Sequence, residues 1–204
     1  MKYPVRKFRS LNIALKELEP FIRDGEHLQT GKPFKNFGGL RSREVLANWL
    51  LCVTINWAND SKLTFTSDPL GGDGIIYDSE TGQTWPTEHV IVPKLRLGDA
   101  GVTEELVLKA IKKKCTKGGA AYAAGKTLVV FLNAGAQRWK PNRVARELPE
   151  PLQFASVWVV GLHRLEAGEY VYAVAHMDFA EDDVPTFLVR IGSDFDAWEV
   201  SRIQ

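Results

Sequence analysis

The stretch that decides the fold is GGDGIIYDSETGQTWPTEHVIVPK, residues 71–94. Two apolar runs flank the turn residues SETG, and this pattern predicts an antiparallel hairpin. A turn centred on SETG places Asp73 directly opposite Glu88, and opposed residues point to the same side of a sheet. Two carboxylates in that arrangement repel each other unless a positive group lies between them.

Two interpretations of this acid pair stay open. A divalent cation bound by hard carboxylate oxygens would remove the repulsion between Asp73 and Glu88. Alternatively, the register is shifted by one residue, the hairpin is solvated, and Asp73 only serves the GGDG turn.

The segments on either side of the hairpin predict a mixed sheet flanked by helices, an α/β fold. Two elements precede the hairpin: the helix RSREVLANWLLCVTINW, capped by Ser42, and the strand KLTFTS. Two elements follow it: the helix TEELVLKAIKKKCTKGG, capped by Thr103 and ending near Gly118, and the apolar strand TLVVFLNAG. Outside these lie a helix SLNIALKELEPFI, a loop RDGEHLQTGKPFKNFGG, a short helix KPNRVAREL, a hairpin of FASVWVVGLHRL with YVYAVAHMD, and one final strand with an irregular end.

Composition limits the class of protein. The chain has 204 residues, 45% of them hydrophobic, and a net charge of +1, so it suits one domain with no strong overall field. We expect a single domain over 1–204, with a helical extension at 1–40, a core at 41–133, and a helix and strands at 134–204 that complete the sheet. Cys52 and Cys115 are predicted to be buried free thiols. The first residues lack the apolar core of a signal peptide, so we expect a cytoplasmic protein without membrane contact.

One short motif is set aside. GGAAYAAGKT, residues 118–127, is similar to a phosphate-binding loop, but five residues separate Gly119 from Gly125 where that motif has four. The motif also follows a strand and opens a helix, whereas here a helix precedes and a strand follows.

The hairpin and its neighbours resemble the PD-(D/E)XK nuclease superfamily, whose members share the restriction-endonuclease-like fold. Asp73 in GDGIIYD matches the family's aspartate at the start of the second core strand. Glu88 in TEHVIVPK matches the acid of its acid-x-lysine motif, and Glu44 in RSREVLANW fits a glutamate that many members carry near the start of the first core helix. The resemblance covers the central half of the chain and implies an α-β-β-β-α-β core, here followed by a C-terminal hairpin.

The same resemblance implies a nuclease that hydrolyses phosphodiester bonds with Mg²⁺ (or Mn²⁺). Asp73 and Glu88 would hold the metal ion with help from the backbone carbonyl of His89. Glu44 would bind a second metal ion or its water. The implied partner is a nucleic acid, DNA in the first place, and a homodimer is an allowed assembly.

The chain departs from the family at Val90, which stands where the motif has its lysine. Strand side chains repeat every two residues, so that lysine would share a face with Glu88. Either the lysine has moved to another element, or the protein has lost catalysis and binds a nucleic acid or a protein instead.

A helical projection at about 100° per residue identifies two candidate lysines. Lys114 lies near the middle of the apolar face of the helix that follows the hairpin, and Lys117 lies at its edge. The alternative is that a lysine there extends its amine to solvent or interacts with the helix dipole. Lys94 is a further candidate at the end of the hairpin, and QRWKPNRVAR, which contains Arg138, offers cations for phosphate contacts.

Overall fold

The computed structural model describes residues 8–94, 102–133, 139–177 and 183–204. The described helices are α1 (Leu11–Arg23), α2 (Gly25–Thr30), α3 (Ser42–Asn59), α4 (Thr103–Ala123) and α5 (Pro141–Ala145), with a 3-10 turn at Lys35–Phe37. The described strands are β1 (Leu63–Thr66), β2 (Ile75–Asp78), β3 (Thr84–Val92), β4 (Thr127–Leu132), β5 (Ser156–Glu166), β6 (Glu169–His176), β7 (Thr186–Ile191) and β8 (Trp198–Arg202).

The strands form one eight-stranded mixed sheet in which spatial order follows chain order. The pairs β3–β4 and β4–β5 are parallel, and the other pairs are antiparallel. The two parallel pairs need crossovers, which contain α4 and α5. The predicted α/β class, with a mixed sheet and helices, is confirmed.

Strand β4 divides the interior into two layers. Val129 and Phe131 belong to the layer that contains α3, whereas Leu128 and Val130 belong to the layer that contains α4. Side chains alternate between the two faces of a strand, so a strand that is covered on both faces needs apolar residues at every position. The uninterrupted apolar run of β4 meets this requirement.

Helix α3 is the central element of the first layer. Its side chains are buried on nearly every side, including Leu46, Leu50 and Trp49, each 0% exposed. Trp49 Nε1 donates a hydrogen bond to the carbonyl of Leu11 (2.9 Å), which ties α1 to α3. Full burial of a leucine side chain contributes roughly 1.5–3 kcal/mol, so this helix supplies much of the drive for folding.

Two predictions of local structure are wrong, and one predicted helix end is confirmed. The expected loop at residues 23–39 contains α2, which begins beside the capping carboxylate of Asp24 (Oδ1 to Glu26 N, 3.2 Å) and ends at Gly31 with φ 69. The predicted helix end near Gly118 is confirmed, because Gly119 has non-helical backbone angles (φ 64, ψ −172), and a second short helical segment follows this kink as far as Ala123. The C-terminal tail forms two strands, β7 and β8, instead of one.

The predicted helix caps are also displaced. Arg41 occupies the N-cap of α3, while the hydroxyl of Ser42 donates to the carbonyl of His27 (3.1 Å). Val102, and not Thr103, occupies the N-cap of α4.

The hairpin register is confirmed within the strands. Ile75 pairs with Pro86 and Tyr77 with Thr84, the register that would place Asp73 opposite Glu88. The strand pairing of those two acids is not formed, because β2 begins only at Ile75 and Gly74 turns the chain with φ 143. Among the described residues, no helix combines the length and the apolar character needed to cross a bilayer.

Candidate functional site

A cleft of about 590 Å³ opens where the start of α3, the hairpin and α4 meet. Its lining includes five of the side chains that the sequence proposed as candidates, Glu44, Asp73, Glu88, Lys114 and Lys117, whereas Lys94 is not among the described lining residues. His89 and Val90 of β3 also line the cleft. Elements far apart in the sequence therefore bring the predicted residues to one place.

Asp73 lies just before β2 and is fixed by its side chain. Its Oδ2 accepts a hydrogen bond from the backbone N–H of His89 (2.7 Å). This bond replaces the strand pairing expected for Asp73 and joins the loop before β2 to β3. One carboxylate oxygen is thereby occupied, and the other, Oδ1, is the one that this bond leaves for a ligand.

Glu88 pairs with Lys114 across the interface between β3 and α4. Lys114 Nζ donates to Glu88 Oε1, and the two side chains are only 14% and 11% exposed. Val90 occupies the next position on the same face of β3, since strand side chains repeat every two residues. Lys114 of α4 thus places an amine beside Glu88 on this face of β3.

Glu44 lies in the first turn of α3 and has a structural role. Its Oε2 accepts a hydrogen bond from the backbone N–H of Arg41 (2.9 Å), which satisfies a free donor at the helix start. Burial raises the pKa of Glu44, and the negative charge of Asp73 adds to the rise. The two carboxylates are therefore near enough to repel each other.

His89 points to the opposite side of β3 from Glu88. Its Nε2 lies 3.1 Å from Oδ1 of Asn48 on α3. Burial lowers the pKa of His89 to about 3, so the ring is neutral at physiological pH. A neutral ring that bonds the amide oxygen of Asn48 carries its proton on Nε2.

Three residues at the site were not predicted from the sequence. Asn48 and Arg43 are buried on α3, and Arg43 Nη1 donates to the carbonyl of Gln29 (3.4 Å). Tyr122 follows the irregular residue Gly119 in α4; burial raises its pKa, and the negative charge of Glu88 adds to the rise. Only Asn48 had a usable signal, because it lies four residues after Glu44 and so on the same face of a helix.

Of the other lysines and arginines named as candidates in the sequence, some lie at the cleft and some lie away from it. Lys117 is exposed and lines the cleft, whereas Lys94 is exposed at the end of β3. Lys140, Arg143 and Arg146 are exposed at α5, and none of the described cleft-lining residues comes from α5. Arg138 lies outside the described residues.

Within the described ranges, no group of three or more His, Cys, Asp and Glu side chains is arranged to hold a metal ion. Comparisons of the chain with models of protein families, with curated proteins and with solved structures found no match. The geometry of the cleft is therefore the basis for a functional assignment.

Proposed function

We propose that this protein is a metal-dependent nuclease that hydrolyses phosphodiester bonds, with DNA as the expected substrate. The observation that carries the proposal is the contact of Lys114 with Glu88 in the cleft that also contains Asp73. An amine beside a pair of carboxylates is the arrangement that the acid-x-lysine motif produces on one strand. Here two elements supply it.

The connectivity supports a restriction-endonuclease-like fold. The elements α3, β1, β2, β3, α4 and β4 follow one another in the α-β-β-β-α-β order. Strands β1 to β3 are antiparallel neighbours, and β4 returns parallel to β3 through α4. Because unrelated activities share folds, this agreement supports the architecture, and the function depends on the cleft.

The residues present fit a Mg²⁺ or Mn²⁺ ion of low protein coordination. Mg²⁺ usually keeps several waters and binds one or two carboxylates together with substrate phosphates, so it does not need a cage of three acids. Asp73, through Oδ1, and Glu88 would hold the ion, with the carbonyl of His89 as a further oxygen ligand. Glu44 is less suited to a second ion, since its Oε2 already accepts the Arg41 N–H.

The chain's own residues then have distinct roles. A bound ion would lower the pKa of the attacking water and offset charge in the transition state. Lys114 would lie beside that water and stabilise negative charge on the phosphate. Lys117 and Arg41 would contact neighbouring phosphates at the mouth of the cleft, as lysine and arginine commonly do. Gly39 and Gly71 have open space where a side chain would stand, which allows a nucleic-acid backbone to approach the walls.

Nicking of supercoiled plasmid DNA in the presence of Mg²⁺ or Mn²⁺ tests this proposal. We expect Lys114→Met to abolish cleavage, because methionine keeps the apolar stem and removes the amine. Lys113→Met is the matched control, since Lys113 is exposed on the same helix, and it should cleave as the wild type does. Cleavage by Lys114→Met at the wild-type rate would refute the catalytic role of Lys114.

One observation favours a second candidate, a catalytically inactive relative that binds nucleic acid or protein. The charge of Glu88 is already compensated by Lys114, so this acid is stable without a metal ion. Calorimetry separates the two candidates. A wild-type protein that binds neither Mg²⁺ nor Mn²⁺ in the presence of DNA or RNA, and cleaves neither, would be a binding module.

A further inference from the structure

Three residues from separate elements form a closed circuit of hydrogen bonds beneath the cleft. His89 Nε2 donates to Asn48 Oδ1 (3.1 Å), and Asn48 Nδ2 donates to the backbone carbonyl of Asp73 (3.4 Å). The backbone N–H of His89 donates to Asp73 Oδ2 (2.7 Å), which closes the circuit. Asp73 is thus held through its main chain from α3 and through its side chain from β3.

Asn48 is buried, and its side chain has a single favourable orientation. It is 0% exposed, and it is not among the described residues that line the cleft. Its amide oxygen and nitrogen have different partners, so the amide has one favourable orientation. A buried polar side chain is costly unless its hydrogen bonds are made.

The residue after Asp73 is adapted to the same circuit. Gly74 has φ 143, and a Cβ there would lie 2.4 Å from Asn48 Nδ2 and 2.9 Å from Thr87 Oγ1. Any other residue would therefore press on the amide of Asn48 and on the neighbouring threonine. The close approach of backbone to Asn48 explains why glycine stands directly beside the acid.

We propose that Asn48 is a positioning residue for Asp73. By holding the Asp73 carbonyl and the ring of His89, it fixes the loop before β2 so that Asp73 Oδ1 faces the cleft. Asn48 touches neither metal ion nor nucleic acid in this role, and it acts only through Asp73. The inference rests on the proposed function, because the need to orient Asp73 arises from metal binding.

The principal test compares Asn48→Leu with wild type by Mn²⁺ calorimetry. Leucine has a similar size and lacks hydrogen-bonding groups. Loss of outer partners of metal ligands typically weakens metal binding by about 10–100-fold, and we expect a loss in this range. Thr54→Val is the control, because Thr54 is equally buried on α3 and outside the circuit, and its affinity should match the wild type.

Kinetics and a conservative variant separate positioning from general damage to the fold. Asn48→Leu should lower kcat for DNA cleavage and leave KM for DNA unchanged, since the DNA-contacting cations are untouched. His89→Gln keeps a donor toward Asn48 Oδ1 and should retain more Mn²⁺ affinity than His89→Leu. Equal losses in the two His89 variants would contradict the circuit.

A measurement on the wild-type protein covers the case in which Asn48→Leu does not fold. Nitrogen-15 chemical shifts should show the His89 ring protonated on Nε2, and protonation on Nδ1 would overturn the proposal. If wild type binds Mn²⁺ and folded Asn48→Leu binds it equally well, the positioning role alone fails. If wild type binds no Mn²⁺, the proposed function fails, and the positioning role fails with it.

Discussion

The ion pair between Lys114 and Glu88 makes a quantitative prediction about stability. Removing either charge leaves the other in a site where the side chains are only 14% and 11% exposed. Breaking a buried pair by removing one partner typically costs about 3–5 kcal/mol. We therefore expect Lys114→Met and Glu88→Gln each to lower the free energy of unfolding by about 2–4 kcal/mol, the remaining exposure reducing the loss.

The double variant should lose much less than the sum of the single losses. Once both charges are gone, no uncompensated group remains between β3 and α4, and the methionine stem still packs. Residues in direct contact commonly show interaction energies of about 0.5–3 kcal/mol, and this pair should lie in the upper half of that range.

Urea denaturation of the four proteins in a double-mutant cycle measures the interaction energy directly. The exposed pair Arg23–Glu19 on α1 offers a control, with side chains 48% and 30% exposed. Pairs of this kind contribute about 0.2–0.5 kcal/mol. Single losses that add to the double loss within about 0.5 kcal/mol would show that Lys114 and Glu88 do not interact, and the argument for a relocated lysine would fall with it.

Two further predictions concern the floor of the cleft. Burial lowers the pKa of His89 from 6.5 to about 3. Between these two pH values the imidazole is therefore protonated in the unfolded chain and neutral in the folded chain. The free energy of unfolding of the wild type, compared with that of His89→Gln, should be constant above pH 6.5 and fall by about 1.4 kcal/mol per pH unit as the pH drops toward 3. Urea denaturation at several pH values measures this difference. A pH-independent difference would refute the buried neutral ring. Gly74→Ala should destabilise the protein by about 1–3 kcal/mol in the same assay. Gly39→Ala is the control and should cost less, because both glycines have positive φ but, of the two, only Gly74 lacks space for a Cβ. Equal losses in the two variants would contradict the close approach of Gly74 to Asn48.

Local patterns in the sequence were sufficient for the central elements. The alternation in residues 71–94 predicted the hairpin and its register, and the structure confirms the pairing of Ile75 with Pro86. The helical projection placed Lys114 on the buried face of α4, where it does reach a carboxylate. These predictions succeeded because turn residues and apolar periodicity are properties of neighbouring residues.

The elements that were missed depend on contacts made after folding. Helix α2 has only six residues, too few to be stable alone, and its apolar residue Leu28 is buried against the rest of the molecule. Strand β8 carries Glu199 and Arg202, and charges of this kind are common on edge strands but indistinguishable from those of a loop.

The site residues that were not predicted also depend on contacts between distant segments. Asn48 shares a helix face with Glu44, but its hydrogen-bond partners Asp73 and His89 come from other elements, so its role could not be predicted. The segment around Tyr122 was set aside as a motif of the wrong spacing. The glycines predicted the helix end near Gly118, but no local pattern predicted the second helical segment that follows Gly119 and brings Tyr122 near Glu88. Hydrogen bonds between distant segments leave no periodicity in the sequence.

The position of α3 has a consequence for synthesis in the cell. This helix is made early, yet β4, β6, β7 and β8, which cover much of it, are made after it. At about 5–20 residues per second, the ribosome needs on the order of ten seconds to complete those strands. During that time α3 can pack against α1, α2 and β1, but the face that the later strands cover stays exposed to solvent. We therefore expect a truncation that removes β7 and β8 to leave an aggregating product rather than a smaller folded one.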